Sequence, residues 1–143
     1  RDVDIDKLIV QLKVHEGVRK FVYLDTEGIE TIGVGRNLVD RGLSNDEIEL
    51  MLANDIRDFQ DEVEAAFPWW SDLDDVRQRV VVDMAFNMGL GSLSKFVNTL
   101  AHIEGGRYDE ASVEMLDSRW ARQVGDRAKV LSEMMETGGD HDY

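Results

Sequence analysis

The chain has 143 residues, of which 43% are hydrophobic, so it can bury the core of one domain. It contains no cysteine, which excludes a disulfide framework and a thiolate metal site. Thirty acidic residues against sixteen basic ones give a net charge of −14, which disfavours nucleic acid and anionic membranes as partners. No apolar run reaches the roughly 18 residues of a transmembrane helix, and the charged start does not resemble a secretory signal. We therefore expect a soluble chain without membrane insertion.

The first predicted element is an amphipathic helix that begins after Asp4. Its apolar residues recur at helical spacing, and they are Ile5, Leu8, Ile9 and Leu12. Asp4 belongs to the residue types that cap a helix N-terminus. Because Gly17 follows Glu16, we expect Glu16 to lie at the C-terminal end of this helix.

Residues 21–34 indicate short strands. β-Branched and aromatic residues are interrupted there by glycines, and Thr26-Glu27-Gly28 is a typical turn sequence. We expect a small hairpin or a three-stranded meander. Asp25 then lies beside the turn, and Thr31 lies on the segment that follows it.

A long helix is predicted over residues 44–66. Ser44 and Glu47 have the spacing of a capping box, and the apolar residues at positions 48, 52, 56, 59 and 63 share one helix face. Pro68 ends this helix, and we expect the two tryptophans after it to pack at the junction.

The rest of the chain is predicted to be helical. The segments are residues 73–88, 93–103, 108–116 and 127–135, and glycines separate them. The sequence thus predicts a mostly α, α+β fold in a single domain of residues 1–143. A small β-containing lobe of about residues 17–45 is joined by the long helix to a helical lobe of about residues 67–143, which also includes the N-terminal helix, and a cleft lies between the lobes.

Glu16, Asp25 and Thr31 form a candidate catalytic set. A carboxyl at a helix C-terminus faces the negative end of the helix dipole, a position that suits a proton donor. Asp25 lies on a turn that water can reach, so it can orient or deprotonate a water molecule that the Thr31 hydroxyl holds. An acid, a second carboxylate and a held water are the parts needed to hydrolyse a glycosidic bond. In so acidic a chain the same spacing also arises by chance.

Motifs along the chain occur in the order of a known family. The active-site part is His15-Glu16-Gly17, followed by Tyr-Leu-Asp-Thr-Glu-Gly at residues 23–28 and Thr-Ile-Gly-Val-Gly at residues 31–35. Further matches follow at residues 44–47, 84–89, 96–100, 108–111, 118–120 and 126–129. In these motifs the chain resembles the T-even phage lysozymes of glycoside hydrolase family 24, and the resemblance extends over residues 5–136.

The resemblance implies a lysozyme-like fold and a peptidoglycan hydrolase. Such an endolysin, or muramidase, cleaves the β-1,4 bond between N-acetylmuramic acid and N-acetylglucosamine and is bacteriolytic. Matching positions imply Glu16 as the general acid, Asp25 as the partner that positions or activates water, and Thr31 as the residue behind that water. Inversion at the anomeric carbon is implied as well, and no cofactor or metal is expected.

Three further positions match functional positions of the family. Arg127 matches an arginine that contacts the catalytic glutamate, and its implied role is to orient that side chain. Phe86 and Thr99 match positions along the sugar-binding cleft, although the helix that carries Phe86 is mostly apolar and a core position fits it as well. We interpret Trp69 and Trp70 as structural rather than as a carbohydrate platform.

The chain departs from the family pattern in three respects. Arg36 stands where the family usually has a histidine, and it can replace an imidazole in an ion pair but does not titrate, so we expect a changed pH response. The segment 36–44 is short. The charge of −14 should repel anionic wall polymers, so either a basic patch faces the cleft or moderate salt raises the activity.

Two alternatives stay open. A lytic transglycosylase uses one acid and the sugar's own hydroxyl and yields a 1,6-anhydro product, whereas Asp25 and Thr31 favour attack by water. An inactive glycan-binding relative would bind peptidoglycan without lysis. We expect a monomer, and a phage protein of this kind would stay in the host cytoplasm until a separately encoded membrane pore gave access to the wall.

Overall fold

The computed structural model describes residues 2–143, and this part of the chain is mostly helical. It forms eight α-helices, one 3₁₀ helix at Pro68–Asp72 and a three-stranded antiparallel sheet. The helices are α1 (Ile5–Glu16), α2 (Asn45–Ala66), α3 (Asp75–Met88), α4 (Leu90–Leu93), α5 (Val97–Glu104), α6 (Tyr108–Leu116), α7 (Arg119–Val124) and α8 (Asp126–Thr137). The strands are β1 (Arg19–Leu24), β2 (Glu30–Gly33) and β3 (Arg36–Asn37). The predicted mostly α, α+β class is confirmed.

Contacts within the chain divide it into two compact units, Arg1–Met51 and Leu52–Tyr143. The first unit holds α1, the sheet and the start of α2, and the second unit holds the rest of α2 and helices α3 to α8. The predicted lobe boundaries, the place of the N-terminal helix and the cleft stay predictions. None of the helices in residues 2–143 combines the length and the apolar character that a membrane crossing requires.

Helix α1 begins and ends where the sequence predicts. The Asp4 side chain accepts a hydrogen bond from the Lys7 N–H at 3.1 Å, which satisfies a free donor of the first turn. At the other end, the Gly17 N–H donates to the Lys13 carbonyl at 2.9 Å, and Gly17 has a φ of +78°. Glu16 is therefore the last helical residue, as predicted.

The sheet is the predicted three-stranded meander, with its strands in the order β1-β2-β3. Thr31 on β2 lies opposite Tyr23 on β1 and opposite Asn37 on β3. Ile32 pairs with Arg36, so a tight turn at Val34 and Gly35 connects β2 to β3. Thr31 consequently lies on the central strand, and only 4% of its surface is exposed.

Helix α2 has the predicted capping box. The Ser44 N–H donates to Oε1 of Glu47 at 2.8 Å, and the Glu47 N–H donates to Oγ of Ser44 at 3.2 Å. The predicted apolar face is covered unevenly. Val63 is fully buried and Phe59 packs against the core, whereas 41% of Leu52 and 44% of Ile56 are exposed.

The hydrophobic core of the second unit is built by α3, α4, α5, α6 and α8 together with the end of α2. Its largest fully buried side chains are Met84, Leu93, Ile103, Met115, Leu131, Met135, Val63, Val80 and Val81. Trp70, on the 3₁₀ helix that Pro68 begins, is buried and donates its indole N–H to the Gln78 carbonyl at 3.0 Å. Trp69 stacks on Phe67 with ring centroids 5.3 Å apart. Both tryptophans have the packing contacts expected of structural residues.

The later helices agree with the prediction in most places. The segments predicted at 73–88, 108–116 and 127–135 correspond to α3, α6 and α8. The segment predicted at 93–103 is wrong at its start, because a break at residues 94–96 separates α4 from α5. Helix α7 was not predicted as a separate element. Its six residues are too few to show helical periodicity, and it depends on the Ser118 hydroxyl, which accepts the Ala121 N–H at 3.0 Å.

Candidate active site

The carboxyl group of Glu16 lies against the turn between β2 and β3. A β-carbon at Gly35 would lie 2.8 Å from Oε2 of Glu16 and 3.0 Å from its carboxyl carbon. Gly35 also has a φ of +64°, which side chains rarely tolerate. Glycine is thus favoured at position 35 both by the backbone conformation and by the approach of the Glu16 carboxyl. Among the described residues of the first unit, no cation forms an ion pair with Glu16.

Asp25 is held in a turn by its own side chain. Its Oδ1 accepts hydrogen bonds from the N–H groups of Glu27 at 2.8 Å and Ile29 at 2.9 Å. The backbone closes the same turn, because the Asp25 N–H donates to the Ile29 carbonyl at 2.9 Å. Within the described part of the first unit, Oδ2 accepts no hydrogen bond. One carboxylate oxygen therefore fixes the orientation, and the other can bind water.

Thr31 is linked to Asp25 through a single residue. The Thr31 hydroxyl donates to the Ile29 carbonyl at 2.8 Å, and Ile29 is the residue whose N–H binds Asp25. A hydroxyl has one proton to donate, so Oγ1 of Thr31 acts towards any further ligand as an acceptor. The structure thus brings Asp25 and Thr31 together in one hydrogen-bonded arrangement.

Arg36 forms a fork on the N-terminal turn of α2. Its two terminal nitrogens donate to Oε1 and Oε2 of Glu47 at 2.8 and 2.7 Å, and Nη1 also donates to the Gly42 carbonyl at 3.0 Å. The Arg36 hydrogen bond, helped by those from Ser44, lowers the pKa of Glu47 from its ordinary 4.5 to about 2. The same hydrogen bond raises the pKa of Arg36. The sequence indicates an ion pair for Arg36 but does not identify its partner. The one sequence feature that pointed to Glu47 was its place in the capping box.

Arg127 lies in the second unit, on the first turn of α8. Its Nε and Nη2 donate to Oδ1 of Asp83 on α3 at 2.9 and 2.6 Å. Sequence reasoning did not find Asp83, which is 44 positions away in the chain. The predicted contact of Arg127 with Glu16 would join the two units and stays a prediction.

Phe86 is accessible at the surface of the second unit. Its ring centroid lies 5.3 Å from that of Phe59, and 40% of its surface is exposed. It lines a cavity of about 310 Å³ together with Leu52, Ile56, Val82 and Arg127. The ring packs against Phe59 and is also partly exposed, so both a core contact and a sugar contact are compatible with its position.

Thr99 is located differently. It lies on α5, only 3% of its surface is exposed, and it lines a cavity of about 260 Å³ that Asn98, Arg119 and Trp120 also border. Trp120 is buried and donates its indole N–H to Asn87 at 2.7 Å. The small exposed part of Thr99 borders that cavity, and its role in substrate binding stays a prediction.

A small antiparallel sheet with a helix-end glutamate, followed by a largely helical unit, defines a lysozyme-like α+β protein. The family model described as "Phage lysozyme" matches residues 13–136, and the chain belongs to this family. This membership supports a lysozyme-type glycosidase and, in broad terms, a peptidoglycan hydrolase.

Two of three similar proteins have names that agree with this membership. The chain is 27% identical to "Probable T4-type lysozyme 1" of Dictyostelium discoideum, over 89% of this chain and 92% of the relative. It is 26% identical to "Probable T4-type lysozyme 2" of the same organism, over 97% of this chain and 99% of the relative. It is also 26% identical to "Pre-baseplate central spike protein Gp5" of Enterobacteria phage T4, over 92% of this chain but 28% of that protein.

Proposed function

We propose that the protein is a muramidase that hydrolyses the β-1,4 bond between N-acetylmuramic acid and N-acetylglucosamine in peptidoglycan, with inversion. Glu16 protonates the oxygen of the leaving sugar, while Asp25 and Thr31 hold the attacking water. The observation that carries this proposal is the link from Asp25 through Ile29 to Thr31, within the unit that also contains Glu16. Family membership supports the substrate class.

The hydrogen bonds of Asp25 and Thr31 favour a water that is ready to attack. Both Oδ2 of Asp25 and Oγ1 of Thr31 act as acceptors, so a water bound to both directs its two hydrogens towards the protein. A lone pair of the water then faces the sugar. In the reaction, the water oxygen bonds to the anomeric carbon, the bond to the leaving oxygen breaks, Glu16 gives its proton to that oxygen, and Asp25 takes a proton from the water.

The remaining predicted site residues have supporting roles in this proposal. Arg127 orients Glu16, and Phe86 and Thr99 contact the sugar rings. The protein acts as a monomer without a cofactor and lyses bacterial walls. If it is a phage protein, it reaches the wall from the host cytoplasm through a membrane pore.

The catalytic roles can be tested by measuring the loss of turbidity of permeabilised bacterial cells. Glu16→Gln should lower the rate by roughly 10²-fold or more, and Asp25→Asn should cause a large loss, because each variant removes one proton-transfer group. Glu27→Gln is the matched control, since this exposed carboxylate lies in the same turn and uses only its N–H there. A fully active Glu16→Gln protein would overturn the proposal.

The role of Thr31 can be tested with two substitutions of similar size. Thr31→Val removes the hydroxyl and should lower the rate about tenfold or more, because both the water contact and the bond to Ile29 are lost. Thr31→Ser retains the hydroxyl and should keep most of the activity. Equal activity of Thr31→Val and wild type would contradict the proposed role.

The reaction product separates hydrolysis from the alternatives. Hydrolysis leaves reducing ends and incorporates one oxygen atom from labelled water, whereas a lytic transglycosylase leaves 1,6-anhydro ends. A glycan-binding protein without activity would sediment with purified peptidoglycan and release no fragments. Mass spectrometry of the released fragments therefore decides between the three functions.

A further inference from the structure

The side chain of Arg36 connects three parts of the first unit. It extends from β3, donates to the Gly42 carbonyl in the following loop and forks onto Glu47 at the start of α2. Arg36 is partly buried, with 24% of its side chain exposed. A bidentate fork restricts the orientation of both partners more than a single contact does.

Arg36 directly follows the glycine that packs against Glu16. Gly35 has a positive φ, as has Gly33 two residues earlier, so the turn has little intrinsic stiffness. On one side the turn is held by the pairing of Ile32 with Arg36. On the other side it is held by the three hydrogen bonds of the Arg36 side chain. The position of the Gly35 backbone therefore depends on Arg36.

We propose that Arg36 is a positioning residue for Glu16, whose fork on Glu47 and Gly42 holds the Gly35 backbone against the Glu16 carboxyl. This inference rests on the proposed role of Glu16 as the general acid. The low pKa of Glu47 is compatible with it, because the fork stays charged throughout the pH range of a lysis assay. Loss of the fork should misalign the proton donor while leaving glycan binding unchanged.

The test compares Arg36→Gln and Arg36→Lys with Ser44→Ala. Arg36→Gln removes the fork, and Arg36→Lys keeps the charge but cannot contact both carboxylate oxygens and Gly42 in the same way. Ser44→Ala is the matched control, because it removes the hydroxyl that caps α2 and leaves the contacts of Arg36 intact. For each variant, Tm is measured first, and kcat and KM on purified peptidoglycan are then measured well below Tm.

We expect Arg36→Gln to lower kcat on the order of tenfold with KM within about twofold of wild type, and Arg36→Lys to have an intermediate kcat. Ser44→Ala should lower Tm and leave kcat unchanged. Amide hydrogen exchange at residues 33–36 should be faster in both Arg36 variants than in Ser44→Ala, and this measurement does not depend on activity.

A wild-type kcat and unchanged exchange in both Arg36 variants would overturn the positioning role. If Ser44→Ala lowers kcat as much as Arg36→Gln does at a similar decrease in Tm, the positioning role would also be overturned. The proposed function is tested independently of Arg36, because it fails if Glu16→Gln stays active. An inactive Glu16→Gln together with fully active Arg36 variants rejects the positioning role alone.

Discussion

Gly35→Ala adds one carbon atom to the turn between β2 and β3. We expect this substitution to lower kcat by more than its loss of thermal stability would explain. The new β-carbon would lie 2.8 Å from Oε2 of Glu16, whereas ordinary contact begins near 3.4 Å. The carboxyl must therefore move by about 0.6 Å. Because misplacement by about 1 Å can cost roughly 10²-fold in rate, a loss of about tenfold in kcat is expected.

Gly33→Ala is the matched control for this substitution. Gly33 has a φ of +69°, close to that of Gly35, but a β-carbon there has no neighbour within 4 Å. The left-handed conformation costs alanine about 1–2 kcal/mol at either position, so both variants should lose on the order of 5 °C in Tm. Only Gly35→Ala should also lower kcat.

The assay combines thermal unfolding with initial rates on purified peptidoglycan, at a temperature where both variants are folded. Equal kcat values for Gly33→Ala and Gly35→Ala would refute the reasoning, because the contact with Glu16 would then have no effect on the reaction.

Three further predictions concern stability and charge. Met84→Ala in the core should cost about 2–5 kcal/mol in urea unfolding, whereas exposed Val97→Ala should change stability by less than about 0.5 kcal/mol; similar values for the two would contradict the assigned core. The pKa of Glu47 is lowered on folding, so this carboxylate stabilises the fold above its ordinary pKa of 4.5, and that contribution is lost as the pH falls towards about 2. The Tm difference between wild type and Glu47→Gln should therefore shrink from pH 7 to pH 3, and a constant difference would argue against the ion pair. Because the charge is −14, the rate of lysis should rise as NaCl is increased from about 10 mM to 100 mM, and a steady fall would indicate a local basic patch instead.

Structural features that are set by residues close together in the chain could be predicted from the sequence. The cap at Asp4, the end of α1 at Gly17, the capping box at Ser44 and the break at Pro68 all appear as expected. Each is held by hydrogen bonds or steric limits within about four residues, so the residue type at one position indicates the local structure. Ordered motifs over most of the chain likewise indicated the family.

Contacts between distant parts of the chain were not predictable in the same way. Arg36 binds Glu47, Arg127 binds Asp83, and Gly35 packs against Glu16, and none of these pairings follows from a local pattern. The chain has many carboxylates, and each of them offers an arginine the same charge, so charge alone does not select the partner. Which carboxylate it meets depends on how the sheet, the turn and the helices pack, and this is why the partners of the candidate site residues emerge only in the folded protein.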